Sequence, residues 1–259
     1  MENLKVAIIT VAGISSRFNK DIPEENKELK CIYFEEDSHN TLIYQLIKKV
    51  STYDKIIIVG GFKFPDLEDY ISQNIPQKLK DKILIFFNDH YVDLKSGYSL
   101  YIGIREALNN FEGIDEILFV EGDLDIDDES FLNVVKSNKN VLTFNREPIC
   151  SNKAVVLYKN DNDEYKYLFN SDHGNLTISE PFKAIFNSGQ VWKFKDLGLL
   201  KIANENFEKY LIEDTNLGII QKYFDLVENK DEVELIGLKR WVNCNTREDY
   251  KVIKEYWSK

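Results

Sequence analysis

The sequence predicts an α/β protein: a mostly parallel sheet with helices on both faces. Three observations predict it. Several apolar runs, beginning with VAIITV from Val6, show no polar alternation, so they read as strands buried on both faces. These runs alternate along the chain with segments of helical period, the pattern that crossover helices produce between parallel strands. The first run also ends in a turn of small residues, GISS, that delivers Arg17, and in open α/β sheets the carboxyl edge of the strands is where ligands bind.

The elements follow in order. Strand runs are expected at LKVAIITV, KIIIVG, KILIFF, EILFVEG and NVLTF, separated by helices at TLIYQLIKKVS, PDLEDYISQNI, SGYSLYIGIREAL and DESFLNVVKSN. Pro65 suits the first turn of its helix, and Asp127 or Asp128 suits an N-cap. After Arg146 the texture changes. KAVVLYKN, EYKYLFN and AIFNSGQVWKF are β-rich with polar turns, which predicts a small antiparallel insertion or lid built on the same sheet. From Asp196 onward the chain reads as helical, interrupted by VELIGL and RWVNCNT. With no repeat, low-complexity tract or linker, a single domain over 1–259 is expected, divided into a core (1–145), a β-rich insertion (146–195) and a helical closing part (196–259).

Composition narrows the function. A formal net charge of −11 disfavours a nucleic-acid-binding surface, which needs clustered Lys and Arg, but leaves room for a local anion pocket. The N-terminus lacks the charged flank of a signal peptide, and no apolar run reaches membrane-spanning length, so no membrane insertion is expected. Cys31, Cys150 and Cys244 are odd in number and widely spaced, which reads as reduced, packed thiols of a cytoplasmic protein. His39, His90 and His173 lack zinc-ligand spacing and read as surface or loop residues.

Three motifs carry chemistry. In AGISSRFNK, small residues let backbone N–H groups approach an anion while Arg17 supplies a planar donor fork; a plain strand-to-helix turn is the alternative. In EILFVEGDLDIDDESF an acidic cluster stands where a buried strand emerges. Asp123 and Asp125 would share a side if the extended conformation persists, and paired carboxylates there suit Mg2+. Asp127, Asp128 and Glu129 read instead as favouring the positive end of the next helix. In KSGYSLYIGI, Gly97 and Ser99 open a helix that reads, on pattern alone, as an ordinary capped one.

The loop Ala12-Gly13-Ile14-Ser15-Ser16-Arg17 resembles the signature of the nucleotidyltransferases of the GT-A-like fold, usually A-A-G-x-G-[ST]-R followed by P-K, with Ser15 in place of the second Gly. The resemblance implies a Rossmann-like sheet and places the motif's lysine at Lys30, Lys27 being the weaker candidate. Arg17 would hold the β and γ phosphates and Lys30 the α phosphate, with Ala12, Gly13, Ser15 and Ser16 lining the nucleotide. G-D in FVEGD corresponds to the family's metal-ligand strand end, implying Asp123, with Asp125 less secure. RWVNCNTREDY resembles the closing segment E-I-D-T-x-E-D, with Asn245 where the second metal ligand is usually aspartate. An amide oxygen can coordinate Mg2+, or Mn2+, without bringing charge. Asn245 and Thr246 can equally cap the last helix.

YSLY is similar to the CTP-dependent enzymes that activate phosphocholine, where Gly97 and Ser99 would read the base. FVEGDLDIDDESF with FNSGQVWKF is most similar to the branch that activates phosphoglutamine in campylobacter capsular phosphoramidate synthesis. The implied reaction is transfer of a cytidylyl group from CTP to a small phosphorylated acceptor, with Glu180, Lys183, Ser188 and Gln190 as polar candidates for the acceptor pocket. Two rivals remain. GT-A glycosyltransferases share the frame and a D-x-D spacing that Asp123 and Asp125 satisfy. A regulatory module that binds nucleotide without turnover is the other.

Overall fold

β1 (Leu4–Val11) alternates Ala7, Ile9 and Val11 toward one face of the sheet with Val6 and Ile8 toward the other, and each face meets its own apolar core. The computed structural model describes residues 3–150, 155–168 and 175–257, so the expectation for His173 lies outside the described residues. The expected alternation follows: α1 (Leu42–Lys49), β2 (Lys55–Gly60), α2 (Phe64–Asn74), the short α3 (Gln77–Lys80), β3 (Ile83–Phe87), α4 (Ser96–Asn110) and β4 (Ile114–Glu121). Then come β5 (Leu124–Ile126), α5 (Asp128–Lys136) and β6 (Asn140–Asn145). Local chemistry sets the helix starts. The Thr41 hydroxyl and the Asp127 carboxylate accept the backbone N–H of Tyr44 and Ser130, and Pro65 sits in the first turn of α2.

The second half supplies β7 (Val156–Asn160), β8 (Tyr165–Leu168), β9 (Phe182–Ser188) and β10 (Val191–Phe194). The closing part contains α6 (Leu197–Tyr210), α7 (Leu217–Leu226), β11 (Val233–Gly237), β12 (Trp241–Asn243) and α8 (Arg247–Trp257). Among the described residues ten strands form one sheet in the order β3-β2-β1-β4-β10-β6-β9-β7-β8, with β11 on the other edge of β6. The fold is the expected α/β type, a large mostly parallel central sheet with flanking helices. Pairing is parallel through β3-β2-β1-β4 and between β6 and β11, and antiparallel around β10, β9, β7 and β8. One part differs from expectation: β10 is no part of a lid but is buried at the centre of the sheet, between β4 and β6.

Lys193 of β10 is fully buried and donates to the carbonyls of Val135 (2.9 Å) and Ser137 (2.7 Å), closing the carboxyl end of α5. Glu116, also buried, lies 3.6 Å from it and takes further partners in Tyr53, Lys5 and Lys195. The ionic network therefore sits at the opposite end of β4 from the ligand edge. Among the described residues no helix is long and apolar enough to cross a membrane.

Candidate active site

A cavity of about 1300 Å3 opens along the carboxyl edge of β1 and β4. Its lining includes Ala12, Gly13, Ser15 and Arg17 from the loop after β1, and Lys30 from the turn that follows. Ser15 occupies the left-handed region at φ 55°, a conformation that favours glycine, and holds it with a side chain. Its neighbours hold it there. The backbone N–H of Asn19 donates to the Ser15 carbonyl at 2.9 Å, and the buried Asn19 side chain donates to the same carbonyl and to that of Glu28 while accepting the Glu28 N–H. The Lys30 N–H in turn reaches the Ser15 hydroxyl at 3.4 Å. Loop and turn form one bonded unit.

Lys30 Nζ donates to Asp123 Oδ2 at 3.0 Å, joining that unit to the end of β4. Gly122 makes the approach possible: a Cβ there would lie 2.2 Å from Val11 and 2.7 Å from the Thr10 carbonyl, which accepts the Gly122 N–H. The other Asp123 oxygen, Oδ1, is buried without a hydrogen-bond partner. Arg17 is exposed at the cavity and forms no ion pair among the described residues. Lys27 pairs with Glu24 outside the cavity, so Lys30 is the lysine the fold brings to the site.

Asp125 departs from expectation. Its carboxylate is buried, held by Arg240 on one oxygen and by the Trp257 indole N–H (2.8 Å) on the other, and it does not line the cavity. Both oxygens being engaged by the C-terminal part, the metal-ligand role expected for Asp125 is corrected to that of a structural anchor. Asn245 does line the cavity, beside Thr246 and Asp249. Thr246 and Asp249 form a reciprocal cap: the Asp249 carboxylate accepts the N–H groups of Asn245 (2.9 Å) and Thr246 (2.7 Å), while the Thr246 hydroxyl accepts that of Asp249. The capping alternative is therefore real, and it leaves the Asn245 side chain uncommitted to it.

Four further corrections concern single residues, and a fifth concerns Ser188. Ser16 is exposed but outside the cavity lining. Gly97 serves packing: a Cβ would lie 2.4 Å from Phe207 and 2.5 Å from the Asp214 carbonyl. Glu180 is committed to Tyr158 and Asn160, and Lys183 to Asp163, beside the β7–β9 pairing and outside the cavity lining. Ser188 is buried and accepts the Gln190 N–H without lining the cavity. Ser99, bonded to Asn88 at 2.9 Å, and Gln190 do line it. Cys31 and Cys244 are packed thiols that burial pushes up to about 12, whereas Cys150 is exposed at the cavity, against the expectation that all three are packed.

The sequence reading missed Glu121, the last residue of β4. Its two oxygens accept from Asn216 (2.6 Å) and Gln190 (2.8 Å), and burial, reinforced by the charge of Asp123, pushes the carboxyl up to about 8. The signal was present, a carboxylate directly before G-D at a strand end, but it was overshadowed by the aspartates after it. Arg17, Lys30 and Lys95 are the cations of the cavity lining, Glu121, Asp123, Glu147 and Asp249 its carboxylates, and Asn187, Gln190 and Asn243 add amides.

Residues 26–257 match the family described as a domain of unknown function, DUF6564. The chain belongs to DUF6564. The matched span leaves out β1 and the Arg17 loop, which in this DUF6564 protein form an interior strand of the sheet and part of the cavity wall. Among curated proteins no match was found. Among solved structures, the phosphocholine cytidylyltransferase of Streptococcus pneumoniae is similar at a TM-score of 0.64 and 16% identity, over 98% of this chain and 99% of that one. The inositol-1-phosphate CTP transferase of T. maritima is similar at 0.66 and 14%, over 98% and 96%. The 4-diphosphocytidyl-2C-methyl-D-erythritol synthase of Anaerococcus prevotii is similar at 0.60 and 17%, over 99% of both chains. At such identities the likeness establishes that this DUF6564 chain has their fold.

Proposed function

We propose that the protein is a cytidylyltransferase that transfers CMP from CTP to a small phosphorylated acceptor and releases pyrophosphate. The observation that carries the proposal is the Lys30–Asp123 contact at 3.0 Å, which joins a cation from the β1 side to a carboxylate from the end of β4 beside the Arg17 loop. In the proposed reaction an acceptor phosphate oxygen forms a bond to the α phosphorus as the bond to the β phosphate's bridging oxygen breaks. Lys30 and Arg17 stabilise the charge that develops on the phosphate oxygens. A phosphate monoester is already largely ionised near neutral pH, so the chemistry requires no dedicated base.

The donor set suits Mg2+, with Mn2+ as the alternative. Asp123 offers a carboxylate whose Oδ1 has no partner, and Asn245 offers an amide oxygen in the same cavity. Among the described residues no group of three His, Cys, Asp or Glu converges on one point, so phosphates and water would complete the coordination. When bound, the ion neutralises phosphate charge.

The acceptor reading is L-glutamine phosphate, giving CDP-L-glutamine for capsular phosphoramidate modification. Its support is the sequence resemblance in FVEGDLDIDDESF, together with the Glu147 carboxylate and the Asn187 amide of the cavity lining, which suit an amino-acid headgroup. Phosphocholine and sugar phosphates are the alternatives. The chemistry uses soluble substrates, in keeping with a cytoplasmic enzyme. The glycosyltransferase reading loses support, because the second aspartate of its D-x-D is held by Arg240 and Trp257.

The test is pyrophosphate release with Mg2+ and each of the four nucleoside triphosphates, against L-glutamine phosphate, phosphocholine and sugar phosphates. Release with CTP and one acceptor is expected. CTP binding without release for any acceptor would favour the regulatory reading, and release confined to another nucleotide would reject the base assignment.

A further inference from the structure

α8 meets the phosphate-side loop and turn through Tyr250, edge to face with Tyr33 at 4.8 Å, and through Arg247, a side chain that the proposed reaction does not itself use. The Arg247 guanidinium lies 4.9 Å from the ring centroid of Phe18 and 4.4 Å from that of Tyr33, and donates to Glu28 at 2.6 Å. Phe18 is the residue directly after Arg17, while Glu28 and Tyr33 bracket Lys30. The two rings meet edge to face at 5.1 Å, so the guanidinium covers a preformed aromatic pair. The guanidinium lies within cation–π distance of both rings, and its Nε is buried without a hydrogen-bond partner. Further fastenings run parallel to it: Tyr250 donates to the Asn40 carbonyl, Lys254 pairs with Glu35, and Trp257 holds Asp125 on the sheet side.

We infer that Arg247 is a positioning residue for the phosphate-binding unit, fixing where Arg17 and Lys30 stand relative to the end of β4. The inference rests on the proposed reading that these two cations receive a triphosphate. Asn19 and Ser15 bind loop to turn, but both segments belong to the same unit and could shift together. Arg247 is the charged link from that unit to an element anchored on Asp125. The guanidinium reaches both rings and Glu28 at once; a lysine at 247 would keep the charge near Glu28 but lose the guanidinium's contact with the rings.

The test is calorimetric binding of CTP and CMP, with Mg2+, to the full chain and to its Arg247→Ala and Arg247→Lys variants. The readout is the preference for triphosphate over monophosphate, because displaced cations reduce what the β and γ phosphates contribute. Arg247→Ala should lower that preference by about tenfold, the scale expected when reacting or binding groups move by a fraction of an ångström, with a smaller loss of CMP affinity through Lys30. Arg247→Lys should fall between. An unchanged preference in a folded Arg247→Ala protein overturns the inference, and so does an equal loss for both nucleotides, which would mark a purely structural role. Should Arg247→Ala fail to fold, Glu28→Gln, which removes the ion pair and keeps the cation–ring contacts, should move the preference the same way by less; no movement overturns it. A parent protein without triphosphate preference would instead reject the proposed function, and this role with it.

Discussion

Asp123 and Asp125 stand two residues apart and have opposite surroundings. Asp123 meets Lys30 at the cavity, whereas Asp125 is closed in by Arg240 and Trp257. Asp123→Asn should therefore lower turnover by roughly 10²-fold or more at little cost in unfolding temperature. Asp125→Asn should do the reverse, costing about 3 kcal/mol of stability because it removes one partner of a buried pair. Paired activity and denaturation measurements decide this; an inactive but fully stable Asp125→Asn protein would contradict the assignment. Glu121 adds a pH dependence. Its carboxyl stands at about 8 in the folded chain, so the fold retains a proton that the unfolded chain releases in the ordinary carboxylate range. The stabilisation this gives is complete below that range and is lost as pH rises through about 8. Glu121→Gln removes the dependence, and its unfolding temperature relative to the parent should rise between about pH 5 and about pH 9. A gap that stays constant with pH would count against it.

At the scale of elements, Gly97 at the start of α4 has no room for a Cβ, and Lys193 in β10 carries its charge fully buried. Gly97→Ala forces a methyl against Phe207 and the Asp214 carbonyl and should cost about 1 to 3 kcal/mol. Lys193→Met leaves the carbonyls of Val135 and Ser137 and part of Glu116 without their donor, and should cost about 3 kcal/mol. Chemical denaturation tests both. The same elements mark what the sequence made legible. Strands such as LKVAIITV and KIIIVG, and caps such as Asp127, depend on local pattern, and the structure has them where the pattern puts them. VWKF could not be placed in that way: four residues with a lysine among them carry no mark of the sheet centre, and its neighbours β4 and β6 are set by distant register. Likewise the two-residue period that put Asp123 and Asp125 on one side holds only within a strand. The chain leaves β4 at Glu121 and re-enters β5 at Leu124, and the break between them turns the two carboxylates apart.

Across the whole molecule, the two apolar cores draw on both halves of the sequence. Leu238 packs with β1 and α1 residues on one face, and Trp192, Phe207 and Tyr223 pack with Ile8 and Leu100 on the other. We propose that residues 1–259 form one cooperative domain. Urea unfolding followed by far-UV circular dichroism and by tryptophan fluorescence should then give a single coincident transition. The tryptophans are well distributed for this, with Trp192 stacked on Phe119 in the core, Trp241 in the cavity wall and Trp257 on α8. Two separated transitions would divide the core from the closing part.

β1 is hydrogen-bonded along both edges, to β2 and to β4, and its last residues run into the Arg17 loop. A chain cut back to the 26–257 span of its family would therefore carry an open groove between two unsatisfied strand edges, a template for self-association. The vacancy also has a defined shape and register. A synthetic peptide of residues 1–25 should fill it in trans, returning the missing strand and the Arg17 turn together, so that fragment complementation would couple solubility to the proposed nucleotide binding in a single titration.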